Sequence, residues 1–188
     1  LPRTVPYLAP AADADDVDAA PAPGAPLDVG LVWSAGDWNH AVRSIPFDVL
    51  APLFGRDDVR VHVLQRGPAL AECPPTLGVH DGSDDVAATA RRIRRLDLVL
   101  TVDTMVAHLA GALAASTWTL LAHDADWRWM DAPRDTSPWY PTMRLVRQPR
   151  PGDWPAVVAR VACALERAAR AKRAGAPRAA LLDLVRPA

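Results

Sequence analysis

Short apolar runs alternate with helical segments along most of this chain, and this alternation constrains the fold more than any other feature. Five runs lack helical spacing, and several of them are apolar throughout, as buried strands are. The predicted strands are residues 27–34, 59–65, 96–103, 116–122 and 143–148. The predicted helices are residues 47–54, 85–95, 104–114 and 153–172. Such strands, separated by helices, predict an α/β fold with a Rossmann-like, doubly wound parallel sheet.

The two ends of the chain differ in composition from the middle. Residues 1–26 are mostly Ala, Pro and Asp, which is typical of an extended linker, so we expect order to begin after them. We assign residues 27–175 to one domain and residues 176–188 to a C-terminal helical tail. A domain of this size can bury a core without metal ions or disulfides. We therefore predict that Cys73 and Cys163, which form no CxxC motif, are reduced thiols.

Charge and motif content argue against several classes of protein. The 188 residues carry 21 basic and 22 acidic side chains, a net charge of −1, which disfavours general binding to nucleic acid or membrane surfaces. No apolar run approaches the roughly 20 residues of a membrane span and no secretion leader is recognisable, so we expect a cytoplasmic protein. The motifs GxxxxGKS/T, GxGxxG and GxSxG are absent, and the five histidines show no metal-binding spacing.

The junction between the third predicted strand and the next helix has the clearest chemical signal. The strand ends at Asp103, and Thr104 is in position to cap the helix. The amides of Met105 and Val106 then lack partners at the positive end of the helix dipole, and His108 lies one turn further on the same face. We predict a diphosphate site here. In the alternative interpretation the first two residues only cap the helix and the histidine belongs to the core.

The loop after the first predicted strand lies at the same edge of the predicted parallel sheet as the junction at Asp103. It contains Ser34, Asn39, His40, Arg43 and Ser44, and we expect its hydroxyls and guanidinium to add to the anion site. For the arginine, a solvent-exposed loop position is the alternative.

Aromatic residues are dense between residues 118 and 154, which hold five of the seven tryptophans. Trp127 and Arg128 lie in this block, where the arginine is in position to stack on a ring or to pair with Asp126 or Asp131. Two interpretations stay open for the block: a packing cluster beneath a long loop, or a stacking platform for a base or sugar.

Several segments, in their order and spacing, resemble the C-terminal half of bacterial glycosyltransferase family 9 proteins, which include the lipopolysaccharide heptosyltransferases. These segments are GLVWSAG, RSIPFDVLAPL, VLQRGP, LDLVLTVDTMVAHLAGAL, TLLAHDADWRWM, SPWYPTMRLVRQ and GDWPAVV. The similarity runs from about residue 28 to residue 165, and it is closest to members that carry tetratricopeptide repeats upstream.

The resemblance implies the donor-binding lobe of a GT-B glycosyltransferase, with a nucleotide-diphosphate sugar as substrate. We expect no cofactor, and the histidine spacing indicates no metal. Asp103, Thr104, Met105 and His108 match the family's DTxxxH motif at the donor diphosphate and ribose.

Other site residues follow from the same resemblance. Ser34 and Arg43, with Ser44 beside the latter, match the loop that supplies a hydroxyl and a basic residue to the phosphates. Gln65, at the end of the second strand, is expected near the nucleotide. We include Trp127 and Arg128 of the aromatic block among the candidate donor-binding residues.

The lobe that in this family holds the acceptor and usually the catalytic base is not recognisable in these residues, so we assign no catalytic residue. The expected partners are the nucleotide sugar and, in a longer chain, an acceptor lobe or tetratricopeptide repeats. The alternative function is a non-catalytic Rossmann-like binding or docking module derived from the same fold.

Overall fold

The computed structural model describes residues 4–9, 24–36 and 38–186, and it contains a six-stranded sheet in which neighbouring strands are parallel. The strands are β1 (Leu27–Val32), β2 (Val59–Val63), β3 (Val79–His80), β4 (Leu98–Val102), β5 (Thr117–Leu121) and β6 (Met143–Arg147). Their order across the sheet is β3-β2-β1-β4-β5-β6. The predicted α/β fold of Rossmann-like, doubly wound type is therefore confirmed.

The helices are α1 (His40–Arg43), α2 (Phe47–Leu50), α3 (Val86–Arg95), α4 (Met105–Ala112), α5 (Trp154–Arg173) and α6 (Arg178–Leu181). The segment predicted as one helix over residues 47–54 is α2 followed by a 3-10 turn over Ala51–Leu53. The change of geometry coincides with Pro52, because proline has no amide for the hydrogen bond that would continue the α-helix.

The five predicted strands are present with slightly tighter bounds, and β3 is an addition to them. It consists of two exposed residues, Val79 and His80, which pair with His62 and Val63 of β2. A strand of two exposed residues is too short to show an apolar run or an alternating pattern, so this edge strand has no recognisable signal in the sequence.

Helices cover both faces of the sheet. On one face, α5 contributes Val161 and Leu165 to the main cluster of buried apolar residues. On the other face, Ile93 of α3 and Leu109 of α4 form a second cluster with Val99 of β4. No helix in the described part of the chain is long and apolar enough to cross a membrane.

The predicted C-terminal tail packs on the domain. After α6 the chain forms a 3-10 turn over Leu182–Val185, and Leu181, Leu182 and Val185 are all buried. The indole Nε1 of Trp118 donates to the carbonyl oxygen of Leu182 over 2.9 Å. The tail thus completes the core on one side of β5.

Part of the predicted N-terminal linker also contacts the domain. The backbone amides of Tyr7 and Leu8 donate to the carbonyl oxygen of Ala112, over 3.1 and 3.3 Å, and so satisfy an open carbonyl at the end of α4. The linker prediction did not anticipate this contact. The rest of that prediction falls largely on residues 1–3 and 10–23, which lie outside the described residues.

Candidate functional site

The strand order indicates where a ligand site should lie. β1 and β4 are neighbours, with Val29 paired to Leu98, although the chain forms β2 and β3 between them. The winding direction of the sheet reverses between these two strands, and such a reversal leaves a crevice beyond their carboxyl ends. The loop after β1 and the start of α4 meet at this crevice.

Arg43 joins these two segments. Its Nε donates to Oδ2 of Asp103 over 3.2 Å, and its Nη2 donates to the Asp103 carbonyl oxygen. Its Nη1 donates to the carbonyl oxygen of Trp38 over 3.0 Å, and the guanidinium carbon lies 5.2 Å from the centroid of the Trp38 ring. The structure places Arg43 at the predicted junction, with Asp103 as its partner. It is therefore not a free arginine of a solvent-exposed loop.

The local backbone of the loop explains the direction of Arg43. Asn39 has φ 49° and ψ 35°, the left-handed region that asparagine tolerates better than most residues. The amides of Val42 and Arg43 donate to the Asn39 carbonyl oxygen over 3.0 and 3.1 Å. This single turn, α1, brings the arginine towards β4.

Thr104 lies at the N-cap position of α4, but its hydroxyl does not cap the helix. Its Oγ1 lies 3.2 Å from Oγ1 of Thr101, whose own hydroxyl donates to the carbonyl oxygen of Val102 over 2.8 Å. The Thr104 hydroxyl is therefore the donor to Thr101. The predicted side-chain cap is wrong, because the hydroxyl is directed at Thr101 of β4 and accepts from no amide of α4.

The first amides of α4 are open, as the sequence predicts. The carbonyl oxygen of Thr104 accepts from the amides of Ala107 and His108, where the hydrogen bonds of the helix begin. Within the described residues, no protein acceptor faces the amides of Met105 and Val106. Two open N–H groups at the positive end of a helix favour an anion.

His108 is in contact with the core and also open to a cavity. Its Nδ1 lies 3.1 Å from the Tyr140 hydroxyl, and its ring stacks on Trp129 with centroids 5.0 Å apart. Its Nε2 lies 4.0 Å from Oδ1 of Asp103. Burial lowers the pKa of His108 and outweighs the opposite effect of Asp103, so the neutral imidazole is favoured. The side chain is 39% exposed.

A cavity of about 360 Å³ lies next to His108. Its lining consists of His108, Trp127, Arg128, Trp139 and Tyr140. The two indole rings meet edge to face with centroids 6.5 Å apart. The volume lies at the lower end of the range of small-molecule sites, about 300–1,000 Å³.

Both interpretations of the aromatic block apply to parts of it. Trp129 is fully buried, whereas Trp127 is 65% exposed at the mouth of the cavity. Arg128 stacks on Trp127, with its guanidinium carbon 4.9 Å from the ring centroid, and its Nη1 donates to Oδ1 of Asp126 over 2.7 Å. Of the two predicted carboxylate partners, the structure therefore selects Asp126.

Ser34, Ser44 and Gln65 form a separate group that braces the loop after β1. The Gln65 Oε1 accepts from the amides of Trp33 and Ser34, over 3.1 and 2.9 Å. The Ser34 hydroxyl lies 2.8 Å from Nε2 of His40 and 3.5 Å from the Ser44 hydroxyl. The two serines and the glutamine are all buried. Amides that leave the sheet after β1 need acceptors, and Gln65 Oε1 and the Ser44 hydroxyl supply them, the latter to the amide of Ala35 over 3.0 Å. The predicted convergence of this group with Arg43 is therefore corrected, since its polar atoms contact one another and this stretch of backbone.

This second group opens on a different cavity. Ser34, His40 and Ser44 line a space of about 630 Å³, together with Asp48 and Glu72. Arg43 instead lines a small space shared with Asp103. The turn of α1 thus separates the two groups of predicted site residues.

The sequence did not single out Tyr140 or Trp139 as site residues. The sequence holds one signal for the tyrosine, because Gly111 lies inside the predicted helix 104–114, where glycine allows a neighbour to approach closely. That neighbour is Tyr140, since a Cβ on Gly111 would lie 2.3 Å from its ring.

Cys73 is buried, Cys163 is exposed, and both are free thiols. Among the described residues, no three His, Cys, Asp or Glu side chains are grouped as metal ligands.

Comparisons with family models, with curated proteins and with solved structures found no match to this chain. The resemblance to glycosyltransferase family 9 therefore stays a prediction.

Proposed function

We propose that this chain is the nucleotide-diphosphate-sugar-binding lobe of a cytoplasmic glycosyltransferase, which transfers a hexosyl or heptosyl group to a glycan, lipid or protein acceptor. One observation carries the proposal: the open amides of α4, Arg43 and His108 surround Asp103 beside an aromatic cavity. The sequence resemblance described above supports it.

In this proposal the diphosphate lies at the start of α4. The amides of Met105 and Val106 donate to its oxygens, and Arg43 adds a charge-assisted contact from the loop after β1. The Arg43 guanidinium must share its donors between Asp103 and the ligand, because it holds Asp103 in the free protein. The base or sugar ring of the donor occupies the cavity beside Trp127.

Catalysis follows from the same contacts. When the glycosyl bond breaks, negative charge develops on the leaving diphosphate, and preorganised donors stabilise that charge. The helix amides, Arg43 and His108 are those donors here. The base that deprotonates the acceptor belongs to another lobe, as the resemblance implies.

A specific observation favours a second candidate, a non-catalytic binding or docking module. Arg43 and Arg128 already have carboxylate partners, Asp103 and Asp126. An anion must compete with both carboxylates for these guanidinium groups. In a module without nucleotide binding, the ion pairs stabilise the loops and the tryptophans only pack.

Titration calorimetry of the 188-residue chain with UDP, ADP and GDP separates the two candidates. We expect at least one of these nucleotides to bind, and we expect Arg43→Ala and His108→Ala each to weaken that binding by about tenfold or more. Arg173→Ala is the matched control, since this residue is an exposed cation at the end of α5. Absence of binding to all three nucleotides, or equal affinities in all four proteins, would exclude the donor site.

A further inference from the structure

The imidazole of His108 lies between two groups that act on its two nitrogens. Oδ1 of Asp103 is 4.0 Å from Nε2, and the hydroxyl of Tyr140 is 3.1 Å from Nδ1. One face of the ring stacks on Trp129. The side chain is 39% exposed and lines the cavity of about 360 Å³. Which nitrogen holds the proton decides whether Nε2 donates or accepts a hydrogen bond.

Asp103 favours a proton on Nε2. A carboxylate attracts an N–H group and repels a nitrogen lone pair, and the position of this carboxylate is fixed because Arg43 donates to its other oxygen. In a neutral imidazole with Nε2–H, the other nitrogen is an acceptor only. Nδ1 of His108 must then receive a proton from its own neighbour.

Tyr140 is that donor. Burial raises the pKa of its phenol well above the ordinary value, so the hydroxyl keeps its proton at neutral pH. The ring is also fixed in place, because it lies directly against Gly111 of the helix that carries His108. A hydroxyl at 3.1 Å from Nδ1 therefore donates to it, and its oxygen stays free to accept from another group.

Tyr7 is the group that donates to the Tyr140 oxygen. Its hydroxyl lies 3.5 Å from the Tyr140 hydroxyl, and its backbone is held on α4 by the hydrogen bonds of Tyr7 and Leu8 to the Ala112 carbonyl oxygen. The N-terminal segment and the loop after β1 thus act on opposite edges of one imidazole. With the proton on Nδ1 the two hydroxyl contacts would still form with their directions reversed, so it is the Asp103 carboxylate that selects the proton on Nε2.

We propose that Tyr140, supported by Tyr7, is a positioning residue that holds neutral His108 with its proton on Nε2. The N–H group then points to the side of Asp103, where it donates to an anion at the start of α4. With the proton on Nδ1, a lone pair would face the anion and weaken its binding. The role in ligand binding rests on the proposed function, whereas the position of the proton does not.

Nitrogen-15 NMR of the free protein, with labelled histidine, tests the position of the proton directly. We expect His108 to have a protonated Nε2 and an unprotonated, hydrogen-bonded Nδ1. Tyr140→Phe keeps the ring against Gly111 and removes only the hydroxyl, so the Nδ1 resonance should move to the value of a nitrogen without a donor. A protonated Nδ1 in the wild type, or an unchanged resonance in Tyr140→Phe, would overturn the proposal.

Two further variants test the support from the N-terminal segment. Tyr7→Phe should shift the same Nδ1 resonance by a smaller amount than Tyr140→Phe. Leu8→Ala is the control, because it leaves the Tyr7 hydroxyl and both backbone hydrogen bonds in place, and it should leave the resonance where it is. Equal spectra for Tyr7→Phe and wild type would remove Tyr7 from the proposal.

Calorimetric titration of the same proteins with UDP, ADP and GDP tests the consequence for binding. Loss of one hydrogen bond behind the imidazole should weaken binding in Tyr140→Phe by about threefold to tenfold. If the NMR result is as expected and no nucleotide binds to the wild type, the proposed function fails while the proton position stands. If a nucleotide binds equally to wild type and Tyr140→Phe, the positioning role fails while the proposed function stands.

Discussion

Arg43 and Asp103, sixty residues apart in the chain, form an ion pair with 3.2 Å between Nε and Oδ2, and this pair connects the loop after β1 to the start of α4. Both side chains are largely shielded from solvent, with 19% and 13% of their surface exposed. The pair therefore fixes the crevice at which the winding of the sheet reverses. A phosphate that enters there meets a guanidinium whose direction is already set.

Arg43→Ala should weaken the binding of a nucleoside diphosphate by about ten to 150 times, as expected for a lost charge-assisted contact of roughly 1.5–3 kcal/mol. Arg43→Lys should recover only part of this affinity, since an ammonium group cannot reproduce the planar donor pair that spans Asp103 and the ligand. Titration calorimetry at fixed salt measures both changes. Full recovery by lysine would show that charge alone matters at this position.

Thr104→Ala should lower the free energy of unfolding by less than about 0.5 kcal/mol, because the hydroxyl makes no cap. Asp85→Ala gives the contrast. Its Oδ1 accepts from the amide of Ala87 over 2.8 Å at the start of α3, so the loss of that cap should cost about 1 kcal/mol. Urea denaturation of both variants checks the difference. Equal costs would mean that Thr104 also caps its helix.

The stability of the fold should depend on pH through His62. Its Nδ1 lies 2.7 Å from Oδ2 of Asp81 and its Nε2 lies 3.2 Å from Oδ1 of Asp28. The hydrogen bond to Asp28 raises the pKa of His62 above its ordinary value of 6.5 against the opposing effect of burial, and the bond to Asp81 raises it further. The stabilisation is therefore complete below pH 6.5 and is lost as the pH rises through the raised pKa.

Urea denaturation of wild type and His62→Gln between pH 6 and pH 9 tests this dependence. The difference in unfolding free energy between the two proteins should be largest at pH 6 and should shrink towards pH 9. His80→Gln, which replaces an exposed histidine of β3 by the same residue, is the control for the substitution itself. A constant or growing difference for His62→Gln would contradict the assignment.

The fold and the main junction were predictable because both depend on local patterns. Apolar runs and helical spacing identify the strands and helices, and the doubly wound order places the ends of β1 and β4 side by side. Asp103 directly follows β4, and Arg43 lies in the loop that follows β1. The topology therefore brings this loop to the end of β4, and the turn at Asn39 then directs Arg43 to Asp103.

The remaining features depend on contacts that local patterns do not encode. Ser34 and Gln65 lie at strand ends, as site residues do, yet the Gln65 side chain accepts from the backbone of the loop and the Ser34 hydroxyl contacts His40. The Thr104 hydroxyl has two kinds of partner within reach, the first amides of α4 and the Thr101 hydroxyl of β4, and it contacts the latter. Tyr7 lies in a segment whose composition is typical of a linker, and its contact with Tyr140 spans 133 residues.

Gly111→Ala should destabilise the protein although the position lies inside α4. Alanine favours a helix over glycine by about 1 kcal/mol. Against this, the new Cβ would lie 2.3 Å from Cγ of Tyr140, at the base of the ring, where rotation of the side chain cannot relieve the overlap. Overpacking of this kind costs about 1–3 kcal/mol, so we expect a net loss of unfolding free energy and a weaker contact between Tyr140 and His108.

A double-mutant cycle separates the overlap from the helix preference. In a Tyr140→Ala background the overlap is absent, so Gly111→Ala should there be neutral or stabilising, and the two changes should be strongly non-additive. Gly36→Ala is the control in wild type, because no atom lies within 4 Å of its added Cβ and it should have little effect. Equal costs of Gly111→Ala in both backgrounds would show that the helix, and not Tyr140, resists the substitution.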